Sequence, residues 1–385
     1  MSREIRITRI KVTQFAHQVH DLGTEERLGF DLVYRPGATI RQAGSILTIE
    51  TSAGVKGEVP GGCDPRTARY LLGRNPLQRD VIWHDLKRSE RGRMNAPPGA
   101  VDVALWDFAG RLYGVPIHEL LGGWRMSLPC YASTYHGDEN GGLTRPEDYA
   151  AFARRCRDEY GYPAFKIHGW VGGPIQREVE TVHAVREAVG DSVALMLDPA
   201  GAFSTFDDVL RVGRACDEAR FFWYEDAFRG GGLSQFAHAK LKEFIKTPLL
   251  MGEHVRGLEG KADLITSGAT DYVRANVSSD GGITGVMKLA HLAEAHGLDV
   301  ELHGPSLAHR HCMASIRNSN WFELGLVHPR VTADRAPIYA ERRWLDLLDS
   351  VDREGCVAVP EGPGLGVDLD WDWIEAHKTG EVVHE

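Results

Sequence analysis

Three short stretches, Ala194-Leu-Met-Leu-Asp198, Phe221-Phe-Trp-Tyr-Glu225 and Leu249-Leu-Met-Gly-Glu253, decide the fold of this chain. Each is an apolar run that ends in a carboxylate, and the carboxylates are 27 and 28 residues apart. A run of this length is typical of a buried strand, and helical patterns lie between the runs. The spacing therefore predicts successive strands of a (β/α) barrel, each with an acidic side chain at its tip.

The three carboxylates are also candidate metal ligands. Barrel enzymes carry their working groups at the carboxyl ends of the strands, so Asp198, Glu225 and Glu253 are expected to converge on one rim. Oxygen ligands in such a cluster suit a hard divalent cation such as Mg²⁺. A metal in that position is expected to be catalytic.

The bulk composition limits the classes of partner. The 385 residues exceed one barrel of about 250 residues and leave room for a second module. A formal net charge of −10 argues against a surface for nucleic acid or anionic membrane. The six cysteines form no CxxC pair, and no apolar run approaches the about 18 residues of a membrane span. We expect a soluble cytoplasmic enzyme with reduced thiols.

The pattern of predicted elements divides the chain into three parts. Residues 1–125 begin with three strand-like runs (5–12, 29–33 and 45–50) and continue with helical patterns at 64–72, 76–90 and 100–113. Residues 126–335 alternate strictly between strands and helices. The eight strand candidates there are 128–133, 164–168, 193–198, 221–225, 248–253, 272–276, 300–303 and 322–324. This α/β pattern favours a parallel barrel, although an open sheet satisfies the same count. Residues 336–385 read as an irregular segment that packs back on the first part.

Further polar residues stand at or near the predicted strand tips. Lys166 and His168 are two residues apart on one strand, so both side chains point to the same side, as a cation beside a titratable base. Asn276 and His303 end the sixth and seventh strands, where the amide could accept from or donate to the imidazole and select its tautomer. Glu323 holds the matching place on the eighth strand. The competing interpretation of each residue taken singly is structural.

Other residues are weaker candidates. His309-Arg310-His311 is more typical of a helix start or a site wall than of a metal site, and Gly281–Gly285 predicts a tight entry to a helix. Residues 19–41 are polar and contain glycine, as expected of a mobile lid. The candidates for contact with the substrate are Tyr34, Arg35, Arg41, His136 and His254.

Together these motifs resemble the enolase superfamily, specifically its mandelate racemase-like branch. The resemblance rests on the three carboxylates, on Ala100-Val-Asp-Val-Ala-Leu-Trp-Asp107 followed by Leu120-Leu-Gly-Gly123, and on Gly281-Gly-Ile-Thr-Gly285. It implies a modified (β/α)8 TIM-type barrel with an N-terminal α+β capping domain. It also implies Mg²⁺ as the cofactor, a small-molecule carboxylate as the substrate, and a homo-oligomer, either a dimer or an octamer.

The resemblance implies a chemistry and reveals two departures. The implied reaction removes the proton beside a carboxylate to give an enediolate; Lys166 would contact the substrate carboxylate, and Glu323 would form hydrogen bonds. Racemases of this branch have a second, basic lysine where this chain has His168, and an aspartate beside the strand-seven histidine where it has Asn276. An imidazole can still act as a base near neutral pH, whereas Asn276 removes the charge that would hold His303 protonated.

Three functions follow from the sequence. The leading hypothesis is dehydration of an aldonic or aldaric sugar acid to a 2-keto-3-deoxy acid, with His303 protonating the departing hydroxyl. The second is a racemase, an epimerase or a lactone cycloisomerase on the same scaffold. The third is a non-catalytic carboxylate- or metal-binding member of the superfamily.

Overall fold

The computed structural model describes residues 5–25, 32–91, 96–332 and 334–385. Within these ranges the chain forms an antiparallel sheet and a parallel sheet. The strands are β1 (Ile7–Thr24), β2 (Leu32–Thr51), β3 (Lys56–Pro60), β4 (Ser127–Thr134), β5 (Ala164–His168), β6 (Ala194–Asp198), β7 (Trp223–Glu225), β8 (Leu249–Met251), β9 (Tyr272–Ala275), β10 (Asp299–Leu302), β11 (Phe322–Val327), β12 (Cys356–Ala358) and β13 (Lys378–His384).

The helices cover both sheets. They are α1 (Pro65–Leu71), α2 (Arg79–Ser89), α3 (Gly99–Tyr113), α4 (Ile117–Leu120), α5 (Pro146–Tyr160), α6 (Ile175–Val189), α7 (Phe206–Glu218), α8 (Gln235–Leu241), α9 (Gly257–Thr266), α10 (Gly282–Ala295), α11 (Leu307–Met313) and α12 (Trp371–Ala376), with a 3₁₀ turn at Arg342–Trp344. No helix among these described residues is long and apolar enough to cross a membrane.

Eight parallel strands form the barrel in the order β10-β9-β8-β7-β6-β5-β4-β11. Their apolar runs are buried because helices cover the outer face and side chains fill the interior. The first and last strands of this order, β10 and β11, are joined by Glu301 on β10. Its carboxylate accepts hydrogen bonds from the backbone N–H groups of Asn320 and Trp321, just before β11. The fold is a modified (β/α)8 barrel with an N-terminal capping sheet, which confirms the predicted fold class.

The capping sheet has the order β13-β1-β2-β3 and is antiparallel. Its core is a hairpin much longer than the predicted strands at 5–12 and 45–50, because β1 and β2 pair from Ile7↔Thr51 to Thr24↔Leu32. The described parts of the expected lid at 19–41 are therefore paired strand. Part of the predicted run 29–33 lies outside the described residues, and β2 begins at Leu32.

Much of the C-terminal segment is irregular, but it also contains β12, α12 and β13, which were not predicted. β13 pairs with the outer edge of β1 from Ile10↔His384 to Phe15↔Lys378, and Trp373 on α12 packs edge-on against Phe15 with ring centroids 5.6 Å apart. The side chains of β13 are largely exposed, so the strand lacks the apolar alternation that marks strands in a sequence.

Buried aspartates join the cap to the barrel. Asp102 on α3 accepts hydrogen bonds from the backbone N–H and the hydroxyl of Thr284 on α10, at 2.9 and 2.7 Å. Gly282 permits this approach, because a Cβ there would lie 2.3 Å from Oδ2 of Asp102. The predicted glycine-rich helix entry therefore holds the cap over the carboxyl ends of the barrel strands.

Candidate active site

A cavity of about 870 Å³ opens at the carboxyl ends of the barrel strands, beneath the β1–β2 hairpin. Groups from many strand ends line it, as expected for the catalytic face of a barrel. The lining includes His136, His168, Asp198, Asp226, Glu253, His254, His303 and Glu323 from the barrel and Leu32 and Gln42 from the cap.

The three predicted metal ligands lie close together, with Asp198 and Glu253 lining this cavity and Glu225 fully buried. Asp198 ends β6, Glu225 ends β7, and Glu253 follows β8 by two residues. One oxygen from each carboxylate lies within 4.8 Å of the others. An all-oxygen set of this kind, with two of the three side chains buried, fits a hard divalent cation. These three residues could hold such an ion.

Lys166 lies at the centre of the carboxylates. Its Nζ is 3.2 Å from Asp198 Oδ2, 3.1 Å from Glu225 Oε2 and 2.9 Å from Glu323 Oε1, and the side chain is fully buried. Burial alone would lower the pKa of Lys166, but the charges of Glu225, Glu323, Tyr131 and Asp198 outweigh it and raise that pKa well above its usual range. The surrounding carboxylates therefore favour the cationic form of Lys166.

Arg274 is a buried partner of this cluster that the sequence analysis missed. It lies on β9, two residues before Asn276, so the two side chains share one side of the strand. Its Nε and Nη2 donate to the two oxygens of Glu225 at 2.7 and 2.6 Å. Burial alone would lower the pKa of Arg274, but Glu225 reverses the effect and raises it. These two hydrogen bonds fix the orientation of the Glu225 carboxylate.

The ring of His168 is held between two acceptors. Its Nδ1 lies 2.7 Å from the carbonyl oxygen of Thr134, and its Nε2 lies 3.0 Å from Asp198 Oδ2. A carbonyl oxygen can only accept, so Nδ1 carries the proton of the neutral ring. Nε2 carries a second proton only when it donates to Asp198, and it is therefore the nitrogen that can exchange one. The neighbouring His136 ring is 5.1 Å away, and burial, with a contribution from His168, lowers the pKa of His136 to about 4.

Asn276 selects the tautomer of His303. The backbone N–H of Ser278 donates to Asn276 Oδ1 at 2.8 Å, which assigns the other end of the amide as the donor. That Nδ2 group donates to the carbonyl oxygen of His303 and to His303 Nδ1, both at 3.1 Å. Nδ1 is therefore the acceptor nitrogen, and the ring proton lies on Nε2, 3.4 Å from Glu253 Oε2. His303 presents a hydrogen-bond donor to the cavity.

Glu323 completes the inner wall. Its Oε2 accepts the backbone N–H of Gly304 at 2.7 Å, and its Oε1 faces Lys166. Burial would raise the pKa of Glu323, but Lys166, Arg274 and His303 outweigh burial and hold the pKa well below its usual range. Glu323 therefore acts as an ionised acceptor.

The structure brings only part of the expected substrate-contact set to the cavity. His136 and His254 line it, whereas Tyr34, Arg35 and Arg41 do not. Tyr34 stacks on His328 with centroids 4.8 Å apart, Arg35 lines a separate cavity, and Arg41 is exposed. Leu32 and Gln42 reach the cavity from the same strand instead. Successive strand residues point to opposite faces, so Arg41 was predicted one residue away from Gln42, the residue whose side chain reaches the cavity.

The His309-Arg310-His311 stretch lies within α11 and is buried. His309 Nε2 accepts the backbone N–H of Val277 at 3.0 Å, and its Nδ1 lies 2.8 Å from the carbonyl oxygen of Gly304. The two ring nitrogens contact the loops that follow β9 and β10, so His309 supports the loops next to the site.

Known proteins resemble the chain over nearly its whole length. A family model described as enolase C-terminal domain-like matches residues 148–373, and one described as the mandelate racemase/muconate lactonizing enzyme N-terminal domain matches residues 36–122. D-galactarolactone cycloisomerase of Agrobacterium fabrum is 27% identical, with 96% of this chain and 97% of the relative covered. D-xylonate dehydratase of Haloferax volcanii is 28% identical, with 88% and 87% covered.

Among solved structures, D-glucarate dehydratase from Agrobacterium tumefaciens complexed with magnesium is 30% identical to this chain. The alignment covers 98% of this chain and 100% of that one, with a TM-score of 0.87. The similarity therefore extends over both the cap and the barrel.

Proposed function

Because the chain belongs to the mandelate racemase/muconate lactonizing enzyme family of enolase-like enzymes, we propose that it dehydrates a sugar acid to a 2-keto-3-deoxy acid. In this reaction a base takes the proton beside the carboxylate, and the resulting enediolate expels the hydroxyl on the next carbon. The proton that the base removes balances the one that the hydroxyl needs to leave as water. The dehydratases among the relatives support the proposal.

The contact between Asn276 Nδ2 and His303 Nδ1, at 3.1 Å, is the observation that carries this proposal. Racemisation needs a base on each face of the substrate, whereas dehydration needs a base and a hydrogen-bond donor for the leaving hydroxyl. Asn276 directs its N–H to Nδ1 of His303, so Nε2 offers a proton to the cavity. The pair His168 and His303 therefore suits one proton acceptor and one donor.

Each remaining residue has a place in this scheme. Lys166 offers a positive charge to the substrate carboxylate, and Nε2 of His168 takes the proton. Glu323 accepts a hydrogen bond and orients Lys166. A divalent cation held by Asp198, Glu225 and Glu253 supplies positive charge that stabilises the negative charge developing on the substrate. Mg²⁺ is the proposed ion because the ligands are oxygens.

A racemase, epimerase or cycloisomerase is the second candidate. Imidazoles lie at two separate strand ends of the cavity, His168 on β5 and His303 after β10, and a relative similar over most of the chain is a cycloisomerase. This candidate requires Nε2 of His303 to lose its proton during the reaction. Deuterium at the α-carbon without net loss of water would favour it.

A panel of aldonic and aldaric acids tests the proposal. The protein is incubated with each acid and Mg²⁺, and the keto product is trapped as a semicarbazone and measured by its absorbance. We expect product from at least one acid, and we expect Asp198→Asn and His168→Asn to abolish it. The exposed Asp207→Asn serves as the matched control. A panel without keto product from folded protein that binds Mg²⁺ would contradict the proposal.

A further inference from the structure

Asp226, the residue after Glu225, is a buried carboxylate without a partner. Its exposed fraction is 2%, it lines the cavity, and neither carboxylate oxygen has a hydrogen-bond partner among the described residues. Its backbone has a φ of 36°, in the left-handed region that an aspartate adopts only at a cost. In its ionised form, a carboxylate buried in this way is stabilised by a cation or a hydrogen-bond donor.

The loop after β7 packs tightly around this carboxylate. A Cβ at Gly232 would lie 2.0 Å from Asp226 Oδ1, and a Cβ at Gly231 would lie 2.2 Å from Cδ2 of His254. Both glycines have positive φ, 71° at Gly232 and 66° at Gly231. The loop backbone therefore lies directly against Asp226 and His254, in a space that no other residue type could share.

Asp226 and His254 form a second group of ligands with Glu253. One ligand atom from each of the three residues lies within 4.8 Å of the others. Glu253 also belongs to the group with Asp198 and Glu225, and its two oxygens face in different directions. Oε1 is 3.7 Å from His254 Nε2, and Oε2 is 3.4 Å from His303 Nε2. Glu253 is therefore placed to bridge two sites.

The nearby cations compensate other carboxylates. Lys166 pairs with Asp198, Glu225 and Glu323, and Arg274 pairs with Glu225 and, at 3.8 Å, with Glu323. Arg229 and Arg335 line the rim of the cavity. Across the described ranges, no lysine or arginine forms an ion pair with Asp226 or Glu253. One ion held by Asp198, Glu225 and Glu253 leaves Asp226 uncompensated.

We propose that Asp226, Glu253 and His254 bind a second divalent cation beside the first, with Glu253 bridging the two ions. Two carboxylates and an imidazole form a mixed oxygen and nitrogen set, which suits Mn²⁺, Co²⁺ or Zn²⁺ better than Mg²⁺. Carboxylate-bridged ion pairs of this kind clamp oxygen atoms of a substrate from two directions. The second ion would add positive charge on the His254 side of the cavity.

Manganese binding tests the second site without reference to turnover. The full chain is stripped with chelator, and its Mn²⁺ stoichiometry is measured by equilibrium dialysis. Electron paramagnetic resonance then shows whether bound ions are magnetically coupled. We expect two Mn²⁺ per chain and a coupled spectrum for the wild type, and one uncoupled Mn²⁺ for Asp226→Asn. The exposed Asp207→Asn, which makes the same chemical change, should retain both ions.

Further variants keep the test decisive. His254 is exposed, so His254→Ala should fold even if Asp226→Asn does not, and it should bind the second ion at least tenfold more weakly. Asp198→Asn should weaken the first ion and retain the second, which separates failure of this inference from failure of the proposed dehydration. One Mn²⁺ per wild-type chain would overturn the second site, whether or not Asp226→Asn lowers its affinity. If the substitution does lower the affinity for that one ion, Asp226 would be a ligand of the first ion.

Discussion

The amide of Asn276 donates a hydrogen bond to Nδ1 of His303. An aspartate in its place would accept a hydrogen bond from Nδ1–H instead. We predict that Asn276→Asp reverses the tautomer, because a carboxylate accepts from Nδ1–H and frees Nε2 to act as a base. The variant should show a higher ratio of α-deuterium exchange to dehydration than the wild type. Long-range ¹H–¹⁵N spectra of the histidine rings report the tautomer, and NMR in D₂O reports the ratio.

The matched control for this change is Asn75→Asp, because Oδ1 of Asn75 accepts the backbone N–H of Leu77 in a surface turn and an aspartate can do the same. It should leave both spectra unchanged. An Asn276→Asp variant that retains the proton on Nε2 would show that the amide does not control the imidazole.

Arg274 is predicted to be the strongest single stabiliser of the inner site. Arg274→Met leaves the buried Glu225 carboxylate without its guanidinium partner. It should lower the free energy of unfolding by roughly 3–5 kcal/mol. Arg274→Lys should lose less, because one ammonium group retains the charge but not both hydrogen bonds. Urea unfolding measures the difference, and a loss below about 1 kcal/mol for the methionine variant would contradict the role assigned to this ion pair.

Single residues also show where sequence reasoning ends. Constant spacing was enough to predict that Asp198, Glu225 and Glu253 lie close together, because a barrel repeats one strand–helix unit. Arg274 was missed because a single arginine inside Tyr-Val-Arg-Ala looks like an exposed residue of a short strand. Asp226 was missed because its burial depends on a glycine loop that closes over it. Both depend on contacts between distant elements.

At the level of elements, Glu178 in the first turn of α6 links this helix to the loop after β5. Its Oε1 accepts the backbone N–H of Trp170 at 2.9 Å, while its other oxygen has no partner among the described residues. Burial raises the pKa of Glu178 from 4.5 to about 7, against the smaller opposing effects of the Trp170 N–H and Arg177. The folded state therefore favours the protonated acid.

The raised pKa predicts a pH-dependent stability. The contribution of protonated Glu178 is complete below pH 4.5 and is lost as the pH rises through about 7. Glu178→Gln is neutral and retains a hydrogen-bond acceptor. Its free energy of unfolding should therefore exceed that of the wild type only slightly at pH 5 and by about 3 kcal/mol at pH 8. Urea unfolding at both pH values measures it, with the exposed Glu243→Gln as the control. If Glu178→Gln differed from the wild type by the same free energy of unfolding at both pH values, titration of Glu178 would not be the cause.

The elements differ in how far the sequence predicted them. β5 agrees with its predicted ends, because it is a buried apolar segment between turn residues. The β1–β2 hairpin was underestimated because its outer half is polar and depends on pairing between the two strands. β13 was missed because it is an exposed edge strand.

On the scale of the whole molecule, Asp107 on α3 connects three parts of the chain. It is fully buried and accepts the backbone N–H of Glu58 on β3, the backbone N–H of Leu365 in the C-terminal segment, and Arg111 Nε, at 2.8, 2.7 and 2.8 Å. Asp107→Asn leaves at least one of these N–H groups without an acceptor and should cost roughly 1–3 kcal/mol.

Because Asp107 connects the cap to the C-terminal segment, the loss should appear in one cooperative transition that tryptophan fluorescence and far-ultraviolet circular dichroism report together. If Asp107→Asn instead unfolded in two separate transitions, with the cap unfolding first, Asp107 would not couple these parts.

The most direct test of the central claim follows one sugar acid, taken from those that react, by ¹H NMR in D₂O with Mg²⁺. The proposed dehydration predicts that the α-proton signal disappears together with the appearance of a 3-deoxy methylene, and that Asp198→Asn stops both. Exchange or inversion at the α-carbon with every hydroxyl retained would contradict dehydration and establish the isomerase alternative.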